Sequence, residues 1–197
     1  MSIYLTFLFY NVITMQDTLQ NPPSNLGEEE KSTPVMVYSP NDLAWGHLIT
    51  KGAILPERIL TGVTVPDFIT LQNAQTIIAQ GNTLSKPTKY NVLHVPYEEI
   101  IGFHLMPPYE AQLDYDPSEP NRIMTPVTVH VGAFHFYANY RISMQTTIQT
   151  MLDVTKADFV PIYDVNIHHP GNPNMKSIHV NLALVRRSAT IFGEQAE

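Results

Sequence analysis

Eight histidines and no cysteine set the range of chemistry open to this 197-residue chain. Without thiols there can be no disulfide, no thiolate metal site and no cysteine nucleophile, so metal binding falls to the imidazoles. His168, His169 and His179 are the set best placed by spacing. The first two precede the Pro170-Gly171-Asn172-Pro173-Asn174 loop and the third follows it, so a hairpin returns His179 toward the pair. Strand geometry works against the cluster, because adjacent residues point to opposite faces. No carboxylate lies in the loop either, and neither a metal nor any other cofactor is expected. His130 and His135 flank Gly132-Ala133 and are expected to face each other across that turn.

Hydrolytic chemistry finds no better footing. Ser143 and Ser177 lack the glycine context of a nucleophile elbow, and Asp67, Asp158 and Asp164 have no partner fixed by spacing. Glu98-Glu99 reads as a solvated strand end or turn. The nine glycines are scattered and form no phosphate loop. The expectation is a chain with no catalytic residues. Arg186-Arg187 is the sharpest basic feature, able to hold a phosphate or carboxylate or to guard a terminal strand edge. The formal net charge is −7. Residues 1–121 carry five basic and thirteen acidic side chains, whereas residues 122–197 carry six and five. Acidic surface repels phosphate backbones, so a nucleic-acid partner is not expected of the first half.

The elements that must position these residues read as one small β-module used twice. Val127, Val129 and Val131 share a face by the two-residue period, and Phe134, Phe136, Ala138, Tyr140 and Ile142 share the next, with the phase changing at Gly132-Ala133 as in a tight hairpin. Ile148, Met151 and Leu152 then switch to helical spacing, with Ser143 as the expected N-cap. Strands resume from Ala157 to Ile167 and from Ile178 to Phe192. The earlier version runs through Val35-Met36-Val37-Tyr38, a Pro40-Asn41-Asp42 turn, Leu43 to Thr50, a short helix opened by Pro56, Asp67 to Ala79, and Tyr90 to Leu105. A shift of 91 residues sets Trp45 on Phe136 and Asp67-Phe68 on Asp158-Phe159; a shift of 85 sets His94-Val95 on His179-Val180. Trp45, the only tryptophan, is expected in the core.

The expected fold is therefore mainly β, with two tandem barrel-like modules at residues 35–105 and 126–193, each with a short helix between its second and third strands, and a tail at residues 194–197. The apolar run Ile3 to Met15 is too short to span a bilayer as a helix and lacks the basic start of a signal peptide; Met15 is an alternative start. Gln16 to Pro34 reads as a disordered leader. Residues 106–125 read as an exposed, proline-rich, acidic linker. The absence of cysteine is compatible with a reducing compartment, and a cytoplasmic location is expected.

The Val127-x-Val129-x-Val131 and Phe134-x-Phe136 hairpin, followed by Ala183-Leu184-Val185-Arg186-Arg187-Ser188-Ala189-Thr190-Ile191, resembles the two sequence motifs of Sm-like barrels, a class of small SH3-like β-barrel. His94-Val95-Pro96-Tyr97-Glu98-Glu99-Ile100-Ile101-Gly102-Phe103 is similar to the closing strands of that class. Sm-like proteins place their helix before the barrel, and the Arg-Gly pair of their RNA pocket is here Arg186-Arg187 in one copy and Ile101-Gly102 in the other, so the resemblance implies a barrel fold without RNA binding. The arrangement also resembles uncharacterised bacterial domains with a strand-helix-strand barrel core.

A non-catalytic binding or scaffolding role follows, through protein–protein contact or self-association; the alternatives are an Sm-like nucleic-acid binder and a histidine-metal protein. Antiparallel modules keep an edge strand unless they close. Tyr90 to Val95 carries no fixed charge, so Leu93 and Val95 mark the expected contact strand, and Arg186 and Arg187 the alternative, electrostatic contact.

Overall fold

The computed structural model describes residues 22–62, 64–80, 83–172 and 175–194, and the apolar run Ile3 to Met15 lies outside them. The described residues form eleven strands: β1 (Glu30–Tyr38), β2 (Asp42–Lys51), β3 (Phe68–Gln80), β4 (Thr83–Leu84), β5 (Thr88–Pro96), β6 (Gly102–Leu105), β7 (Arg122–Val131), β8 (Phe134–Ser143), β9 (Phe159–His168), β10 (Ile178–Arg186) and β11 (Ile191–Gly193). One α-helix, α1 (Ile148–Val154), lies between β8 and β9. The fold is mainly β, as expected. In place of two separate barrels there is one antiparallel sheet in the order β11-β7-β8-β9-β10-β6-β1-β2-β3-β4, with β5 also paired to β3.

Two five-strand halves are traversed alike within this sheet. The first reads β6-β1-β2-β3-β5 and the second β11-β7-β8-β9-β10, and they join where β10 pairs with β6 through Leu184 opposite Phe103 and Val185 opposite Gly102. Both halves carry an irregularity at the same place in this order. β2 and β3 slip register between Trp45 and His47, with Asn73 at φ 47°, and β8 and β9 slip between Tyr137 and Asn139, with Asp164 at φ 52°. Asn and Asp tolerate this left-handed conformation better than other side chains.

The central strands of the sheet are apolar on both faces because two separate clusters bury them. On one face Val127, Val129, Phe134, Phe136 and Val165 form the second half's interior, and Met36, Tyr38, Leu43 and Trp45 of the first half's outer face pack onto them. On the other, Val35, Val37, Leu71 and Phe103 form the first half's interior, and Phe159, Tyr163, Leu182 and Leu184 of the second half's outer face pack onto those. Each half thus closes the other's core. Small modules bury too little surface alone, and this exchange enlarges both cores.

The two hairpin turns meet at the seam. Gly132 has φ +58° and lies against the Ser39-Pro40 turn, where a Cβ would come 3.0 Å from the Pro40 carbonyl oxygen; with Ala133 at negative φ this is the backbone pattern of a type II′ hairpin. A Cβ on Gly102 of β6 would lie 2.8 Å from Val131 Cγ1.

Several sequence expectations need correcting. The first strand begins at Glu30 and not Val35, because the hairpin register with β2 continues from Tyr38 to Glu30 opposite Lys51; the leader therefore ends earlier than Pro34. β7 likewise begins at Arg122. The N-cap of α1 is Thr147, whose side chain accepts a hydrogen bond from the Thr150 N–H, while Ser143 ends β8. The first half's expected helix is a 3-10 turn, Pro56–Arg58, with proline at its start. The linker is mostly exposed yet fastened: Asn181 exchanges hydrogen bonds with both backbone groups of Ala111, Tyr163 Oη donates to Asp114 at 2.6 Å, and Arg141 donates to Glu119 at 2.6 Å. Among the described residues no helix is long and apolar enough to cross a membrane.

Candidate interaction surface

The seam shows what a joined edge looks like in this protein. Arg186, 6 % exposed, ends β10 and reaches into the turn between β5 and β6, where its Nε donates to Ile100 O at 2.7 Å and its Nη2 to Tyr97 O. Its guanidinium lies over the rings of Tyr97 and Phe159, with Glu98 and Asp158 carboxylates at 3.6 and 3.9 Å. Arginine suits this position because its planar fork stacks and donates at once. The charge singled out in the sequence is thus committed to the chain's own seam. Arg187 donates to Leu152 O at 3.2 Å.

A second seam contact fixes a tautomer. His104 of β6 is fully buried with Nδ1 2.7 Å from Leu105 O and Nε2 3.0 Å from Tyr38 Oη. A carbonyl only accepts, so Nδ1 carries the proton and the Tyr38 hydroxyl donates to Nε2. Burial pushes the His104 pKa down from 6.5 to about 4, so the ring is neutral near pH 7. Tyr38 in turn presents its ring edge-on to Phe134 and Phe136, at 5.1 Å each.

The free edges are different. Among the described residues β5 pairs only with β3, and β11 only with β7. The expected contact strand, Tyr90 to Val95, therefore does lie at an edge of the sheet. Leu93 and Val95 turn inward against the first half's core, and the backbone alternates with them. The Tyr97 N–H donates to Asp67 O at 2.8 Å, so the odd-numbered groups of β5 face β3, and those of Val92 and His94 face away from it. The outer face beside them exposes two large apolar side chains, Phe68 at 53 % and Val92 at 48 %, with the Thr70–His94 pair between them. His94 Nδ1 lies 2.9 Å from Thr70 Oγ1.

His130, His135 and His168 lie together on the second half's outer face. His130 and His135 are opposite in register and stack with centroids 4.1 Å apart, as their flanking of the turn implied. His168 stands opposite His135 and meets the Tyr137 ring edge-on. His135 is held below the usual histidine pKa by desolvation, with His130 and His169 contributing. His169 is buried beneath Phe134 and His179 Nε2 pairs with Asp164 at 2.8 Å, so the trio proposed from spacing diverges. Among the described residues no three histidines or acids converge as metal ligands. Ser143 caps a turn, donating no bond to an imidazole among the described residues, whereas Ser32 Oγ lies 2.8 Å from His47 Nδ1. Asp158 accepts from Tyr97 Oη at 3.0 Å.

No protein-family model, curated protein or solved structure matches the chain. Its functional reading rests on this geometry. The sequence placed Tyr90 to Val95 at an edge and put strands from Ile178 to Phe192, at the end of which β11 falls; it did not single out Phe68 and Val92, whose apolar character is ordinary until their exposure is seen.

Proposed function

We propose that the protein is a non-catalytic binding or scaffolding protein that pairs with other protein through the β5 edge of its sheet, and that it is built from two copies of a five-strand barrel-like unit. The duplication rests on the shared strand order and on the two matching irregularities at Asn73 and Asp164. Counted from these, the hairpin strands correspond at a shift of 92 residues, the third strand at 91, the fourth at 90 and the fifth at 89. Trp45 then matches Tyr137, one residue beyond the match drawn from sequence, and Val95 matches Val185. Phe103 and Phe192 coincide as interior residues of the fifth strand.

The observation that carries the functional reading is the outer side of β5, unpaired among the described residues, beside exposed Phe68 and Val92. A strand edge of this kind offers backbone groups to an added strand and side-chain contacts beside them. Contact of this type persists in salt, because it does not depend on charge. The test is hydrogen exchange of the Val92 and His94 amides, in dilute purified protein, in concentrated protein and after incubation with extract of the source cells. Slowed exchange at either concentration or with extract supports the reading. Exchange at the rate of open amides under all three conditions refutes it.

A further inference from the structure

We propose that the occupant of the β5 edge is the β11 edge of a second copy of the same chain, joined head to tail in the register that already joins β10 to β6. The proposal rests on the edge-pairing reading above and adds the partner and the geometry.

In the proposed duplication each residue of the internal seam has a counterpart at the free edge. Val92 stands opposite Gln72, immediately before the Asn73 irregularity, and Leu182 stands opposite Tyr163, immediately before that of Asp164. Phe68 and Phe159 each precede the residue opposite Val95 and Val185 respectively. These pairs occupy the same places, but their surroundings differ: Phe159 and Leu182 are 2 % and 4 % exposed, because the first half's interior covers them. Among the described residues nothing covers Phe68 and Val92 in this way. An apolar pair kept at a position where its counterpart is buried by a following unit indicates that a following unit belongs there.

The other end supplies that unit. β6, the strand that receives β10, corresponds to β11; two facing pairs of residues set the register of the internal join, and the Arg186 N–H bond to Ile101 O that extends it is not repeated at the free edge, where the counterpart of Arg186 is Pro96. A three-residue β11 is long enough to repeat the two facing pairs. Transferring the register sets His94 opposite Phe192 and Val95 opposite Ile191. In the seam, the Arg186 N–H donates to Ile101 O, so the even-numbered groups of β10 face β6; the counterpart of Leu184 is His94, whose groups face outward on β5. Ile191 is 66 % exposed. Since the two edges are unlike, the contact is heterologous, and each added copy leaves one edge of each kind open unless a ring closes.

Complementation tests the arrangement. His94→Pro removes an outward donor of β5, with Val92→Lys as a second variant that leaves the backbone intact, and Ile191→Lys charges the β11 edge. Circular dichroism confirms that each is folded, and sedimentation at low and high salt reports mass. Wild type is expected to gain mass with concentration in whole-chain steps at both salts. Each edge variant alone is expected to stay at one chain mass, while an equimolar mixture of a β5 variant with Ile191→Lys stops at two. Separately, Val95→Cys and Ile191→Cys chains, free of other cysteines, should form a disulfide-linked pair only when mixed. A wild type that remains at one chain mass, or an Ile191→Lys chain that associates as wild type does, overturns the head-to-tail proposal while leaving β5 pairing to be judged by amide exchange. Folded β5 variants that still associate overturn both.

Discussion

The outer faces of the two hairpins, which the proposed duplication sets in correspondence, differ in composition. On β1 and β2 the outward positions are Met36, Tyr38, Leu43 and Trp45, all buried against the second half's interior. The matching positions on β7 and β8 are Thr128, His130, His135 and Tyr137. Tyr137 is 39 % exposed where Trp45 is 1 %. The difference lies in the neighbours rather than in the hairpins, since both have the same order and the same irregularity. The second face of β1 and β2 is apolar where the other half covers it, whereas that of β7 and β8 carries mostly polar side chains, as expected for sheets buried on two sides or one.

The largest expected effect comes from truncating the two aromatic counterparts. Trp45→Ala should cost about 3–5 kcal/mol by opening a cavity between the halves. Tyr137→Ala should cost less than about 1 kcal/mol, as for an exposed substitution. Denaturant unfolding of both variants measures the contrast. Equal costs would mean that the second hairpin's outer face is covered as the first one's is.

Acid is expected to act on the first hairpin through His104. Its pKa is lowered from 6.5 to about 4 in the fold, so between these values the unfolded chain binds a proton that the folded chain refuses. Stability from this group is complete above pH 6.5 and declines as the pH falls toward 4, by ~3 kcal/mol in all. His135 and His169, also lowered, act in the same direction. Unfolding midpoints across this range should therefore fall less steeply in His104→Gln than in wild type. A slope that does not change assigns the loss to the other histidines.

Adjacent arginines give a smaller contrast along the seam. Arg186→Ala leaves the Ile100 and Tyr97 carbonyls without their donor and Glu98 and Asp158 without a cation; about 2 kcal/mol is expected. Arg187→Ala removes one hydrogen bond to Leu152, for about 1 kcal/mol or less. Thermal melts decide between them. If Arg187 proves the costlier, the clamp is not what holds the turn between β5 and β6.

Local pattern made part of this legible. The Gly132-Ala133 turn, the facing of His130 and His135, the burial of Trp45 and the position of α1 all follow from contacts within a few residues or from strand alternation. The seam does not. Leu184 and Phe103 are far apart in the chain, and the run Ile100 to Leu105 gives no sign that its end pairs with two strands at once. The burial of Arg186 depends on that pairing, so a paired arginine read as a surface feature. The outer positions of β1 and β2 were ambiguous for the same reason: an apolar run on both faces led the match of Trp45 to a buried aromatic, Phe136, on the opposite face. Charged strand starts at Glu30 and Arg122 hid the true beginnings of β1 and β7, because register, not apolarity, extends them.

The last prediction concerns a place where the halves should agree. Asn73 and Asp164 each hold positive φ where their strand gains a residue over its neighbour. Replacing either by alanine also removes a side chain, and Asp164 loses its contact with His179, so alanine alone mixes two effects. The difference between the alanine and the glycine variant at one site cancels the side-chain loss and leaves the backbone preference. A left-handed conformation disfavours alanine by roughly 1–2 kcal/mol, partly offset by glycine's greater freedom in the unfolded chain. Glycine should therefore exceed alanine by about 1 kcal/mol or less at both positions, read from denaturant midpoints. Agreement supports one backbone feature used twice. A clear preference at Asn73 and none at Asp164, or the reverse, would break the correspondence on which the register of the proposed β5–β11 contact depends.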